Sequence, residues 1–251
     1  MISIVIIVRN EEKNIIRLLN SIKIQEDYFK NIVIIDESSK DNTVKTIRKY
    51  KDKLPITLIY SKNLPIGVNR NLGGLIANSD ILLFTEGNCF LKNGFLEEVE
   101  SVFKDNKVVA FASCSMPMRE SSIITSIYLF YDVLRWLLYK LRLGFSVSGS
   151  ILAIRKTVFN EVKGFGLKYN DDGVLGRKIH DYCIKNRCKY VFTLNQDLAV
   201  VRSVNRFNTG FLESIGHYFY IITNFVPSLQ GLLKNKMYWD EIKFRHEEHI
   251  T

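Results

Sequence analysis

The chain contains few cysteines and few prolines. Its 251 residues include 4 of each, so it is neither a disulfide-rich secreted scaffold nor a proline-rich linker. The cysteines are Cys89, Cys114, Cys183 and Cys188, and their spacing matches no zinc signature. We therefore expect reduced thiols in a cytoplasmic protein.

A recognisable signal peptide is also missing. The apolar start of the chain, residues 2–8, is too short for a secretory core and is followed at once by Arg9, Glu11 and Glu12. We expect these first residues to form a strand of a sheet.

Two longer apolar stretches occur later, and neither has the composition of a membrane-spanning helix. Residues 121–143 contain Asp132, Arg135 and further basic residues, which make the stretch too polar for a span. Residues 214–233 carry no Lys, Arg, Asp or Glu but include Pro227 and several polar side chains. Both stretches fit amphipathic helices that contact a membrane surface peripherally. They fit equally well helices that cover the sheet or form a homodimer interface.

The charge balance indicates an anionic partner. With 47% hydrophobic and 24% charged residues, the chain can form one substantial core. Its formal net charge of +9 favours nucleic acid, an anionic membrane surface or a phosphorylated substrate. Nucleic acid ranks last, because no nucleic-acid-binding signature is present and the aromatic residues cluster in apolar stretches. We expect no nucleic acid partner.

Apolar runs alternate with amphipathic stretches along the N-terminal part of the chain. This alternation is typical of an α/β fold with a Rossmann-like, mostly parallel central sheet flanked by helices. Asp41 is expected to cap the helix after the second strand. The predicted strands are residues 2–8, 31–36, 56–60, 81–85 and 108–113, and the predicted helices include residues 68–77, 95–103 and 172–185.

Polar side chains follow two of these strands. Glu86, Gly87 and Asn88 come directly after the fourth strand, and Asp36 and Glu37 close the second. Ligands of open α/β sheets bind at the carboxyl ends of the strands. Oxygen ligands at that edge suit Mg²⁺ or Mn²⁺ carrying a diphosphate. Paired acids there can accept hydrogen bonds from a nucleoside.

Seven short segments then follow one another in a recognisable order. They are residues 2–22, 34–43, 69–73, 81–88, 148–155, 159–165 and 171–177. In this order and spacing they resemble the family-two glycosyltransferases, nucleotide-sugar enzymes of the GT-A fold. Each segment alone is a weak signal, whereas the ordered set is a specific one.

The resemblance implies that a nucleotide diphosphate sugar binds along the edge formed by the first strands. Val8, Arg9 and Glu11 match the family's nucleotide-binding edge, although the proline–threonine pair usual there is absent. Asp36 and Glu37 match the acid pair that holds the nucleoside, with glutamate in place of the usual second aspartate.

The resemblance also implies a donor pocket with a divalent cation. Arg70 matches a residue that lines this pocket, where a guanidinium suits a diphosphate. Glu86 and Asn88 match the two ligand positions of the family's Asp-any-Asp metal motif, which bind Mg²⁺ or Mn²⁺. Since asparagine offers only a neutral oxygen, metal binding is expected to be weaker than with two carboxylates.

Two further residue pairs are candidates for the chemistry of transfer. Asp171 and Asp172 match the family's acid pair before a helix, whose second member is generally the catalytic base. By its position alone, Asp171 fits a helix cap equally well. Arg202 and Arg206 are candidates to contact the leaving diphosphate or an acceptor phosphate, or are solvated surface charges. The Gln-any-any-Arg-Trp motif of cellulose-synthase-like relatives is absent, so processive synthesis is not expected.

The sequence thus predicts a glycosyltransferase domain over residues 1–206, with a nucleotide-binding half at 1–113 and an acceptor half at 114–206. Residues 207–251 are predicted to form a C-terminal extension of amphipathic helices. The expected activity is inverting transfer of a single sugar to an acceptor hydroxyl or lipid phosphate, on a glycan or lipid-linked acceptor at the cytoplasmic face of a membrane. The alternative is a nucleotide-sugar-binding protein without turnover, because the metal motif is altered.

Overall fold

The fold is built on a mostly parallel sheet of seven strands, accompanied by a second, three-stranded sheet. It is known from a computed structural model that describes residues 1–118, 122–148, 150–167, 171–196 and 199–202. The predicted extension at residues 207–251 lies outside the described residues.

Strands and helices alternate along the chain as the sequence predicts. Their bounds lie within two residues of those expected. The helices are α1 (Ile15–Lys23), α2 (Thr43–Arg48), α3 (Ile66–Ile76), α4 (Phe95–Val102), α5 (Ser122–Lys140), α6 (Lys156–Glu161) and α7 (Asp171–Asn186). The strands are β1 (Ile2–Val8), β2 (Phe29–Asp36), β3 (Ile56–Tyr60), β4 (Ile81–Glu86), β5 (Cys89–Phe90), β6 (Val108–Ser113), β7 (Ser115–Pro117), β8 (Leu152–Arg155), β9 (Lys189–Thr193) and β10 (Val200–Arg202).

The large sheet has the strand order β3-β2-β1-β4-β8-β6-β9. Strands β1 to β4 are parallel, and β8 runs antiparallel to both of its neighbours. Every residue of β1 is buried, because helices cover both faces of the sheet. Ile4 and Ile6 belong to the apolar cluster that includes α1 and α4, whereas Val5 and Ile7 belong to the cluster that includes α6 and α7.

The register of the parallel strands brings their carboxyl ends to one edge of the sheet. Val8 pairs with Asp36 on one side of β1, and Ile7 pairs with Glu86 on the other. The acids that close β2 and β4 therefore flank the end of β1, as expected for a ligand-binding edge.

A second, small sheet begins with β5, the strand that follows β4 in the chain. The sequence did not predict this sheet. Its order is β5-β10-β7, in which β10 is antiparallel to β5 and parallel to β7. The register places Arg202 opposite Cys89, the residue that follows Asn88. Two remote stretches of backbone thus meet beside the turn after β4.

The start of α2 differs by one residue from the prediction. Its N-cap is Asn42, not Asp41. Asp41 nevertheless accepts hydrogen bonds from the amides of Thr43 and Glu12, at 3.0 and 3.1 Å, and so joins α2 to the loop after β1. Partial burial alone would raise the pKa of Asp41, but the hydrogen bonds from Thr43 and Glu12 outweigh it and lower the pKa.

Among the described residues, no helix combines the length and the apolar character needed to cross a bilayer. The second apolar stretch, residues 214–233, lies outside the described part of the chain.

Replacing Asp41 by asparagine should lower stability at neutral pH but not in strong acid. Because folding lowers the pKa of this carboxyl, the ionised form stabilises the fold above its ordinary pKa, and this contribution is lost as the pH falls through the lowered value. We expect Asp41→Asn to reduce the free energy of unfolding by about 1 kcal/mol at neutral pH. Urea denaturation at both pH values measures the effect, with Asp52→Asn at an exposed site as control. An undiminished difference in strong acid would contradict the assignment.

Candidate active site

The turn after β4 packs against the loop after β1. A Cβ at position 87 would lie 2.8 Å from Cγ1 of Val8 and 3.0 Å from Cγ of Glu11, so any other residue would force these side chains to shift. The Gly87 amide donates to the carbonyl of Ile7 at 3.0 Å. Val8 and Glu11 therefore lie beside the predicted metal motif, and Arg9 is exposed on the same loop.

Asp36 places a buried carboxylate at the end of β2. One of its oxygens accepts a hydrogen bond from the amide of Ser39 at 3.1 Å. The other, Oδ1, is buried and has no hydrogen-bond partner within the described part of the chain. Leaving a buried acceptor unmatched is costly, so this oxygen marks a position where the donor group of a ligand would be stabilising.

The neighbouring Glu37 is held by helix α3. Its Oε1 accepts a hydrogen bond from the side-chain amide of Asn69 at 2.6 Å. Asn69 in turn accepts a hydrogen bond from the hydroxyl of Ser61 at 2.7 Å. This chain of hydrogen bonds fixes the second acid of the predicted pair, which is only partly buried.

Arg70 joins two parts of the site that are far apart in sequence. Its Nη2 donates to Glu86 at 2.8 Å and its Nη1 donates to Asp171 at 2.6 Å. The guanidinium also lies over the ring of Phe165, 5.2 Å from its centre. Arg70 is buried. Through its two ion pairs it forms a bridge between the end of β4 and the start of α7.

The charges in this bridge depend on one another. Burial alone would lower the pKa of Arg70, but Asp171 and Glu86 outweigh it and raise the pKa. Burial raises the pKa of Asp171, and although Arg70 opposes this effect, the neighbouring charge of Asp172 adds to it. The ionised state of Asp171 therefore depends on the buried guanidinium.

Helix α3 is fastened to the segment before α7 by two further contacts. Asn71 donates to the carbonyl of Phe165 at 3.1 Å and accepts from its amide at 2.8 Å. A Cβ on Gly67 would lie 2.0 Å from the carbonyl oxygen of Gly166. The backbones of these two segments are therefore in direct contact.

The two predicted catalytic acids occupy different environments. Asp171 is buried and paired with Arg70, whereas Asp172 is partly exposed. Both lie in the first turn of α7, and Asp172 Oδ1 accepts a hydrogen bond from the amide of Gly173 at 3.0 Å. The two acids are thus not equivalent, and Asp172 is the one accessible to a reacting group.

The predicted metal ligands are oxygen donors at the turn after β4. Glu86 offers a carboxylate, one oxygen of which is paired with Arg70. Asn88 is buried, and its Oδ1 accepts a hydrogen bond from the thiol of Cys89 at 3.5 Å. In the portion of the chain that the structure describes, no group of three or more His, Cys, Asp or Glu side chains could hold a metal ion. The two oxygens fit a hard divalent cation in kind, but they supply a single negative charge.

The structure describes one of the two predicted phosphate-binding arginines. Arg202 lies on β10, which pairs with the strand directly after the metal motif. Arg206 lies outside the described residues. The roles of Asn69, Asn71 and Phe165 were not predicted from the sequence. The available signal was the pair of asparagines that flank Arg70.

Removing the guanidinium should destabilise the fold strongly. Arg70→Met would leave the carboxylates of Glu86 and Asp171 without their buried cation, at a cost of about 3–5 kcal/mol in the free energy of unfolding. Urea denaturation measures this cost, with Arg48→Met on the exposed side of α2 as control. Adding Glu86→Gln and Asp171→Asn to Arg70→Met should restore part of the loss. A triple variant no more stable than Arg70→Met would argue against the charge bridge.

The fold is shared with solved glycosyltransferase structures. The crystal structure of S. aureus TarS 1-349 is 17% identical over 94% of this chain and 75% of that chain, with a TM-score of 0.62. In the structure of TarS 1-349 in complex with UDP-GlcNAc the identity is 16%, over 89% of this chain and 66% of that chain, with a TM-score of 0.61. The mannosyltransferase PcManGT from Pyrobaculum calidifontis, in complex with GDP-Man and Mn²⁺, is 20% identical over 91% of this chain and 64% of that chain, with a TM-score of 0.67.

These similarities confirm the predicted GT-A arrangement of the sheet and helices. No curated protein sequence matches the chain. The sequence profile described as "Glycosyl transferase family 2" matches residues 3–162, which is more than half of the chain. The chain therefore belongs to glycosyl transferase family 2 and is a glycosyltransferase of the GT-A fold.

Proposed function

We propose that this glycosyltransferase moves a single sugar, with inversion at the anomeric carbon, from a nucleotide diphosphate sugar to an acceptor hydroxyl. The observation that carries the proposal is the Arg70 bridge, which ties the end of β4 to the start of α7. Because β1, β2 and β4 end at the same edge, the bridge links the donor-side acids to the helix that carries Asp172.

The donor nucleoside is assigned to the acids at the end of β2. Asp36 Oδ1 is a buried acceptor that lacks a donor among the described residues, and an N–H group of a nucleobase would satisfy it. Glu37, held by Asn69, is suited to accept hydrogen bonds from ribose hydroxyls. Structural neighbours bind UDP-GlcNAc and GDP-Man, which supports a nucleotide sugar but does not select its base.

The donor diphosphate is assigned to the turn after β4. Glu86, with Asn88 as a neutral supplement, would hold Mg²⁺ or Mn²⁺ there, and the neighbour PcManGT is in complex with Mn²⁺. The cation would stabilise the negative charge of the departing diphosphate. Arg202, on the strand paired with β5, and Arg206 are proposed to contact that diphosphate or an acceptor phosphate.

Asp172 is assigned as the general base. Inverting transfer needs a carboxylate to take the proton from the acceptor hydroxyl as its oxygen attacks the anomeric carbon. Asp171 is buried against Arg70 and is therefore proposed to position its neighbour. The partial exposure of Asp172 leaves it accessible to an acceptor.

The acceptor is proposed to be lipid-linked, and the enzyme to act peripherally at a membrane. The net charge of +9 favours an anionic surface. An acceptor phosphate would need no base, because at neutral pH it already has ionised oxygens that can attack. The role of Asp172 therefore distinguishes the two acceptor classes.

Replacing Asp172 by asparagine should slow transfer by about 100- to 10,000-fold. Donor binding should be unchanged, because the substitution preserves shape and leaves the Arg70 bridge in place. Single-turnover kinetics with the acceptor and thermal-shift titration of the donor measure the two quantities. Asp181→Asn, at an exposed position on the same helix, is the matched control. Full activity in Asp172→Asn would contradict the base assignment and point to an acceptor phosphate.

Replacing Asp36 by asparagine should weaken binding of the donor nucleotide by about 10- to 100-fold, because a charged acceptor is lost. A panel of nucleoside diphosphates in thermal-shift assays, with and without Mn²⁺, measures this and identifies the base. Asp52→Asn serves as the exposed control. Stabilisation that needs no Mn²⁺, combined with no transfer or donor hydrolysis, would support a nucleotide-sugar-binding protein instead. Unchanged affinity in Asp36→Asn would overturn the assignment of the nucleoside site.

A further inference from the structure

Helix α5 buries two charged residues and exposes several large apolar ones. Asp132 and Arg135 are each 2% exposed, whereas Phe130 is 69% and Leu137 is 42% exposed. A helix on the surface of a water-soluble domain normally buries its apolar stripe and exposes its charges. Both the buried charges and the exposed apolar residues of α5 therefore need a physical explanation.

On the buried face, the reason is a satisfied ionic network. Arg135 Nη1 donates to Asp132 at 2.9 Å, and the second Asp132 oxygen accepts from the amide of Ser115 on β7 at 2.9 Å. Arg135 Nε and Nη2 donate to the carbonyl of Ser146 at 3.2 and 2.9 Å, and its guanidinium lies 4.6 Å from the ring centre of Phe192. Breaking such a buried pair is costly, so the network fixes which side of α5 faces outward.

On the exposed face, the apolar side chains form one continuous stripe. Leu129 and Phe130 are followed by Val133 and Leu137 at spacings of three or four residues, which place these four side chains along the same side of the helix. The exposed residues between positions 125 and 143 include Lys140 and Arg142 but no acid, because Asp132 is buried. The outer stripe consists of Leu129, Phe130, Val133, Leu137, Leu141 and Leu143, the last two just beyond the end of α5.

We propose that this outer stripe docks the enzyme on an anionic lipid surface. An apolar helix face that ends in basic residues is the composition of an interfacial helix, whose lysine and arginine meet lipid phosphates. The net charge of +9 adds long-range attraction to the same surface. A stable protein partner would bury about 800 Å² and roughly 20–30 residues on each side, which is far more than the six apolar side chains of the stripe.

The opposite face of α5 lies within electrostatic reach of the proposed base. Burial raises the pKa of Tyr131, Arg135 opposes this effect, and Asp172 is among the charges that raise it further. Docking through the outer stripe would leave the opposite face of α5, with Tyr131, turned towards the proposed base. This last step rests on the proposed function, whereas docking itself does not.

Co-sedimentation of the full chain with vesicles tests the docking. At low salt the protein should bind vesicles that contain phosphatidylglycerol, and Phe130→Glu combined with Leu137→Glu should reduce the partition coefficient at least tenfold. Lys140→Gln and Arg142→Gln should each reduce the preference for anionic over neutral vesicles by roughly fivefold. The matched control is Leu75→Glu combined with Ile184→Glu, on α3 and α7, whose side chains are 71% and 68% exposed.

Three outcomes would overturn the docking proposal. They are a wild-type protein that ignores anionic vesicles, a control variant that loses as much binding as the stripe variant, and a wild-type dimer that the stripe variant converts to monomer without any vesicle binding. Circular dichroism confirms folding, and Phe130→Ser with Leu137→Ser replaces the acidic variant if that variant is unfolded. Nucleotide stabilisation should persist in the stripe variant. Vesicle binding without nucleotide stabilisation of the wild type would contradict the proposed function alone.

Discussion

A single buried cation holds the candidate active site together. Arg70 pairs with carboxylates from the end of β4 and from the start of α7, and its removal would leave both carboxylates without their buried cation. The cost of isolating a buried charge exceeds the gain from pairing it, so the pairing enforces an arrangement more than it adds net stability. The ends of β4, α3 and α7 are consequently interdependent, although each belongs to a different part of the chain.

Asn69 and Asn71, on either side of Arg70, also hold parts of the site in place, but through hydrogen bonds of neutral amides. Asn69 holds Glu37 at the end of β2, and Asn71 pairs with the backbone of Phe165. One turn of α3 therefore fixes the nucleoside-side acid, the turn after β4 and the segment before α7. A site assembled in this way is preorganised, because its polar side chains are oriented before any ligand arrives. The same turn explains why the two acids at the start of α7 differ in exposure.

Much of the fold could be predicted because burial leaves a periodic trace in the sequence. β1, β3 and β6 begin and end where their apolar runs do, and the acids at strand ends stand out against those runs. The partners of Arg70 could not be predicted in this way, since Arg70 and Asp171 are 101 residues apart in sequence. The small sheet was missed because strands of two or three residues carry no period. In α5, a pattern that treats charged residues as exposed could not predict the buried pair of Asp132 and Arg135.

The contact between α3 and the segment before α7 limits which substitutions the enzyme can tolerate. At Gly67 the two backbones approach so closely that even a methyl group would meet the carbonyl oxygen of Gly166. There is consequently no side-chain volume at this point that substitution could enlarge or reduce. The contact is made by main chain, and main-chain geometry tolerates little gradual variation. Differences in what such an enzyme accepts are therefore expected from other positions of the site and not from Gly67.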